Sequence, residues 1–109
     1  MSPDRQARLG ENEAIFRQVN ETVEQAARQA GLEEAITFLC ECADGACAQY
    51  IKLSTQEYEH VRSVASHFVI RPRHYYPDVE IVVERHPEHW IVEKTGEAEE
   101  VAEATDPRH

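Results

Sequence analysis

The sequence predicts a single small α+β domain, and three observations lead to that fold class. A helical periodicity occupies the first third of the chain, and short β-rich runs separated by turn residues follow it. The length of 109 residues gives room for one domain with one core. We therefore expect residues 1–95 to form the domain and residues 96–109, which are acidic and alanine-rich, to form a frayed helix or a flexible tail.

The first predicted element is an amphipathic helix from about residue 11 to residue 30. Positions on one side recur at alternating spacings of four and three; they are Asn12, Phe16, Val19, Val23, Ala26 and Ala30. Gly31 then supplies a natural end to the helix. This pattern favours a helix that packs on its own domain. The stripe formed by these positions is narrow and includes the polar Asn12, which also suits a homodimer helix or a helix that binds a partner protein.

The next predicted element is a β-hairpin at residues 35–53. Its two β-rich runs, 35–42 and 47–53, are separated by Asp44-Gly45, which is a strong signal for a two-residue type I′ turn. In that register Ala43 faces Ala46 and Cys42 faces Cys47.

The remaining elements continue the antiparallel pattern. A capping box at Ser54–Glu57 opens a short helix at 54–65. Strands within 67–94 complete the domain, and the last two form a hairpin that turns at residues 86–89.

The three cysteines of the chain, Cys40, Cys42 and Cys47, lie within eight residues and predict a metal site. On the expected hairpin Cys40 and Cys42 share one face and Cys47 meets them across the ladder. Three thiolates suit zinc, and also copper(I) or an iron–sulfur cluster. Glu41 points away from the sulfur atoms in this register, so we expect it to face solvent or to support the ligands from behind.

Structural zinc takes four ligands, so a fourth residue is needed and histidine is the usual one. We favour His74, because it follows a strand and a proline turn from which a loop can bring its imidazole to the hairpin tip. His67 is the second choice. The other candidates are His60, His86, His89 and the C-terminal His109.

Several of these residues have alternative interpretations. In a redox site Cys42 and Cys47 would form a strained disulfide that Cys40 attacks, and the cysteines could also be ordinary buried residues. The segment His86–His89 resembles a two-histidine metal clip, or is an exposed hairpin tip. The run from Arg71 to Tyr76 suits an anion or peptide pocket, or is an exposed loop.

Composition narrows the function classes. The formal net charge of −10 disfavours binding to nucleic acid. There is no apolar run long enough to cross a membrane and no secretory leader, and the odd cysteine count argues against an extracellular disulfide framework. We therefore expect a cytoplasmic protein, and the frequent arginine, alanine, glutamate and valine indicate a bacterial source. No phosphate loop, dinucleotide fingerprint or nucleophile elbow indicates an enzyme.

The chain also resembles an uncharacterised family of small actinobacterial proteins with a CxCx4C cluster. The resemblance covers nearly the whole chain, in the runs Asn12–Glu21, Phe38–Cys42 with Cys47, Glu57–Arg62, Phe68–His74, Val82–Glu84, Val92–Lys94 and Asp106–Arg108. The family has a Pro-Gly-His stretch where this chain has Pro72-Arg73-His74. The resemblance implies a single fold unit and a role for His74, and it carries no assigned activity.

Together these observations predict a small, non-catalytic zinc-binding module for protein interaction or regulation. One Zn²⁺ per chain would be held by Cys40, Cys42, Cys47 and His74, and a protein partner or a second copy would bind through the N-terminal helix. The alternative is a thiol-based redox or metal sensor that uses the same cysteines. An enzyme with an open catalytic zinc would need only three protein ligands and a cleft.

Overall fold

The computed structural model describes residues 3–42 and 44–108. Ala43 of the expected turn and the candidate ligand His109 lie outside the described residues. The elements within them are α1 (Pro3–Gln29), β1 (Ile36–Leu39), β2 (Tyr50–Leu53), α2 (Thr55–Arg62), β3 (His67–Ile70), β4 (Glu80–Arg85), β5 (Trp90–Lys94) and α3 (Gly96–Ala104). The predicted α+β class is confirmed.

The strands form two antiparallel sheets. β1 pairs with β2, and β5 lies between β3 and β4. The register of the first hairpin agrees with the prediction, because Ile36 faces Leu53 and Leu39 faces Tyr50. This is the register that would place Cys42 opposite Cys47 if the ladder continued.

The ladder of this hairpin ends earlier than expected. Beyond Leu39 it is extended by one bond, from the Cys40 N–H to the Gln49 carbonyl at 3.0 Å. The next N–H, that of Glu41, donates instead to the Val69 carbonyl of β3 at 2.8 Å. The chain therefore leaves β2 and joins the other sheet, which shortens the predicted strands 35–42 and 47–53. The turn is also displaced, since the Cys47 N–H donates to the Asp44 carbonyl at 3.0 Å.

The capping box before α2 forms as predicted. The Ser54 hydroxyl accepts a hydrogen bond from the Glu57 N–H, and the Glu57 carboxylate accepts one from the Ser54 N–H. These two bonds satisfy donors that would otherwise have no partner at the start of the helix. The helix ends at Arg62, three residues before the expected boundary.

The buried side of α1 differs from the predicted one. Val19, expected to face the core, is 41% exposed, and Ile15 is 59% exposed. The helix instead buries a polar stripe, which consists of Glu13, Arg17, Asn20, Glu21 and Glu24. This is possible because other elements supply partners. For example, Arg17 donates to the carbonyls of Ala65 and Ala102 at 2.7 and 2.6 Å.

The segment after Gly96, expected to be a frayed helix or a flexible tail, is a helix packed against α1. Ala98 and Ala102 are buried, and their small side chains let the two helices approach closely. Beyond the helix, Asp106 forms an ion pair with the buried Arg62. The packing of α3 therefore depends on contacts with distant residues, which the local composition does not reveal.

The core lies between the helices and the two sheets. Its fully buried large side chains include Phe38, Tyr58, Phe68, Ile70 and Ile91. Cys40 and Cys42 belong to the same buried cluster, so the cysteine segment is part of the core. Among the helices in the described part of the chain, none combines the length and the apolar character that a membrane crossing requires.

Candidate metal centre

Two loops carry the four predicted ligands. Cys40, Cys42 and Cys47 lie on the segment that connects β1 to β2, whereas His74 follows β3. A turn at Arg71–His74 directs the imidazole toward the cysteines. The turn is closed by a hydrogen bond from the His74 N–H to the Arg71 carbonyl at 3.1 Å. Pro72 suits the second position of such a turn. Arg73 holds the third position with a φ of +72°, a conformation that favours glycine.

The structure brings the four residues together. One ligand atom from each of Cys40, Cys42, Cys47 and His74 lies within 4.8 Å of all the others. His74 Nδ1 lies 3.6 Å from the Cys40 sulfur and 3.7 Å from the Cys47 sulfur. In a tetrahedral site with Zn–S of about 2.3 Å and Zn–N of about 2.0 Å, a nitrogen and a sulfur ligand are about 3.5 Å apart. The cluster therefore already has nearly the spacing that a bound metal requires.

Backbone N–H groups surround the sulfur atoms. The thiol of Cys42 donates toward Cys40 and lowers the pKa of Cys40, and the N–H groups of Arg71 and Cys42 act in the same direction. The same contact, together with burial, raises the pKa of Cys42, although the Asp44 N–H opposes this. Burial raises the pKa of Cys47, although a hydrogen bond from the Gln49 N–H acts to lower it. A cation that binds these thiols as thiolates must displace their protons, so metal binding at this site should depend on pH.

Glu41 anchors the segment between two of the cysteines. Its carboxylate is fully buried and accepts hydrogen bonds from the Asn20 amide at 2.8 Å, the Tyr58 hydroxyl at 3.0 Å and the Val69 N–H at 3.1 Å. The Asn20 side chain also donates to the Leu39 carbonyl at 2.9 Å and accepts from the Leu39 N–H at 2.8 Å. Of the two alternatives expected for Glu41, exposure to solvent is wrong, because the early end of the ladder turns its side chain into the core; support of the cysteine segment from behind is the alternative that remains. Burial raises the pKa of this carboxyl.

One side of the cluster opens on a cavity. Cys42, Cys47 and His74 contribute to the wall of a space of about 520 Å³, together with Arg73, Tyr75 and Tyr76. Cys40 is not part of this wall. Cys40 and Cys42 are buried, whereas Cys47 and His74 are half-buried. A metal held by the four residues would therefore lie at the edge of the cavity.

The other described histidines lie elsewhere. His60 and His86 contact the two oxygens of Glu84 at 2.6 and 2.9 Å. His67, the second choice for the fourth ligand, is 3.9 Å from Glu93. The His86 and His89 rings stack with centroids 4.5 Å apart. Among the described residues, only the group with His74 has the spacing of a metal site.

The sequence reasoning missed the network around Glu41. The only local signal is the position of Glu41 between two cysteines, and its partners lie on α1, α2 and β3, far away in the sequence. The fold and this site define an α+β protein with a Cys3His group positioned for metal binding. Comparison with known proteins finds no matching family model, no similar curated protein and no similar solved structure.

Proposed function

We propose that this protein is a zinc-binding, non-catalytic module that acts in protein interaction or regulation. The observation that carries the proposal is the convergence of three cysteine sulfurs and one imidazole nitrogen within 4.8 Å, on two separate loops. A set of four such donors is typical of a structural zinc site. Zinc is favoured over harder cations because thiolate and imidazole are ligands of soft and borderline metals.

The surface of α1 supports the second half of the proposal. Ile15 and Val19 are exposed on this helix, although most of its buried positions are polar. Ile15 and Val19 are four residues apart and therefore lie on one side of the helix, where they offer a small apolar surface to a partner protein or to a second copy of the chain. We place the module in the cytoplasm, where reduced cysteines persist and can hold metal.

A thiol-based redox or metal sensor is the second candidate. It is favoured by the half-buried positions of Cys47 and His74 at the edge of the cavity. An oxidant or a competing ligand could reach these two residues before the buried Cys40 and Cys42. Oxidation of a ligand thiol would then release the metal.

The proposal is tested by elemental analysis and native mass spectrometry of protein purified under reducing conditions. We expect one zinc per chain. The free energy of zinc binding to structural sites is about 10–16 kcal/mol, so loss of one of four ligands should weaken binding by about 100-fold. His74→Ala should show this loss, and Cys42→Ser a larger one. His86→Ala, which removes a histidine outside the cluster, should bind zinc like the wild type.

Three outcomes separate the candidates. Metal-free protein with reactive thiols would overturn the zinc module and leave the redox interpretation. Zinc that is released by mild oxidation while the circular dichroism spectrum stays unchanged would favour the sensor. Unchanged zinc affinity in His74→Ala would show that the fourth ligand is another residue or water.

A further inference from the structure

The four members of the metal cluster are not held equally. Each sulfur accepts at least one hydrogen bond from a backbone N–H. The Cys40 sulfur accepts from Arg71 and Cys42, the Cys42 sulfur from Asp44, and the Cys47 sulfur from Gln49. The imidazole of His74 contacts two sulfurs through Nδ1, but its Nε2 forms no hydrogen bond within the described part of the chain. Histidine ligands of metals are usually fixed by such a bond, and its loss weakens metal binding. His74 is therefore the ligand that is most easily displaced.

The cavity gives access to the metal on the His74 side. His74 and Cys47 lie on the cavity wall, while Cys40 is buried behind it. The volume of about 520 Å³ is in the range of sites that bind small molecules. An incoming ligand would meet the metal at the position now taken by the imidazole.

Two charged side chains other than the cysteines and His74 line the cavity. Asp44 accepts a hydrogen bond from the Ala46 N–H at 2.9 Å, and Arg73 is the one arginine or lysine among the described lining residues. Arg73 is exposed, and its guanidinium has no hydrogen bond or ion pair with the residues that the structure describes. Its backbone holds a φ of +72°, where a side chain is disfavoured and glycine is preferred. The chain thus retains a free guanidinium at a position where its backbone conformation costs stability.

We propose that the cavity binds a small thiol that carries a carboxylate, with its sulfur on the metal and its carboxylate on Arg73. This inference rests on the proposed metal site. A metal–sulfur bond would form as the metal–nitrogen bond to His74 breaks, and the thiol proton would be released to solvent. No electron is transferred and the metal keeps four donors. A soft metal with three thiolates accepts a fourth thiolate readily.

The carboxylate matters because of charge. Three thiolates and a divalent metal already carry a net negative charge, so an anionic ligand needs a nearby cation. Arg73 can supply it through paired N–H donors, the geometry that guanidinium groups use to bind carboxylates.

The test uses protein loaded with Co²⁺, whose visible and near-ultraviolet absorption reports tetrahedral sulfur and nitrogen ligands. Two probes are titrated, N-acetylcysteine and N-acetylcysteine amide, which differ only in the carboxylate. We expect both to increase the sulfur-to-cobalt absorption and N-acetylcysteine to bind about five-fold more tightly, the effect of one partly exposed ion pair. The amide also stands for a cysteine within a polypeptide.

Three variants locate the effect. Arg73→Ala should abolish the preference for the carboxylate, and Arg73→Lys should retain most of it. Lys52→Ala is the matched control, because Lys52 is an exposed cation outside this cavity. It should leave the preference unchanged.

Opposite results would overturn the inference. If cobalt binds tetrahedrally but neither thiol changes the spectrum, the metal is closed to exogenous ligands. If both probes bind equally in the wild type, the site does not select a carboxylate and a protein cysteine is the better occupant. Failure of the metal site itself gives a different result, since no tetrahedral cobalt spectrum would appear before any thiol is added.

Discussion

Replacing Glu41 with alanine should destabilise the protein strongly, although the residue is acidic and lies between two candidate metal ligands. The substitution leaves three buried donors without an acceptor, on Asn20, Tyr58 and Val69. Each such donor costs about 1–3 kcal/mol. Removing a buried carboxylate returns part of this sum, because desolvation disfavours the charge. We therefore expect the free energy of unfolding to fall by about 3 kcal/mol.

The substitution Glu41→Gln gives a graded comparison. Glutamine keeps one acceptor oxygen, which can serve Asn20 and Tyr58 as the present Oε2 does. Its amide then faces the Val69 N–H donor to donor, so this N–H and the two N–H groups of the amide lack acceptors. Removal of the buried charge offsets part of that cost, and the loss should be about 2 kcal/mol. The order of stability should be wild type, then glutamine, then alanine.

The assay is urea denaturation followed by circular dichroism, with and without zinc. Glu34→Ala serves as the control, because Glu34 is exposed. An unchanged slope against urea would show that the variants lose stability and not compactness. Zinc affinity should fall in Glu41→Ala, since the segment between Cys40 and Cys42 loses its anchor. A Glu41→Ala protein within about 0.5 kcal/mol of the wild type would refute the reasoning, because that is the range of ordinary surface substitutions.

Two further predictions follow from packing and charge. A Cβ atom at Gly10 would lie 2.9 Å from Val101 Cγ1, which is too close for two carbon atoms. Gly10→Ala should therefore lower the melting temperature, although alanine favours the helix by about 1 kcal/mol over glycine. Adding Val101→Ala to the same protein removes the clash and should reverse the loss. Burial and a hydrogen bond with Glu59 raise the pKa of Glu24 to about 7 from an ordinary 4.5. Between these values the native protein holds a proton that the unfolded chain has lost, so the free energy of unfolding should fall as pH rises from about 4.5 to 7. The two pKa values alone give a fall of about 3 kcal/mol, and the lowered pKa of the neighbouring Glu59, together with solvent screening, reduces it to about 1 kcal/mol. Urea titrations of Glu24→Gln should show a flatter profile.

Elements with local signals were predictable from the sequence. The β-rich runs on either side of Asp44-Gly45 predicted the hairpin register that Ile36 and Leu53 show, although the turn itself lies one residue later than predicted. The capping box at Ser54 gave the start of α2 to within one residue. Close spacing identified the cysteines, and the position of His74 after a strand and a proline turn brought it into the group that the structure assembles.

Features that depend on distant partners were not predictable. Hydrophobic periodicity pointed to Val19 as a core residue of α1, yet the helix buries Arg17, which contacts carbonyls 48 and 85 residues further along the chain. No pattern within the helix reveals such partners. For the same reason the packing of α3 and the inward turn of Glu41 were missed, since each depends on a residue of another element.

The two halves of the metal centre differ because the chain is anchored differently on each side. Glu41 ties the segment of Cys40 and Cys42 to α1, α2 and β3. Cys47 and His74 instead lie on turns that are each closed by one backbone hydrogen bond, of 3.0 and 3.1 Å. A change of metal ligand would therefore alter the cavity wall first and leave the core in place.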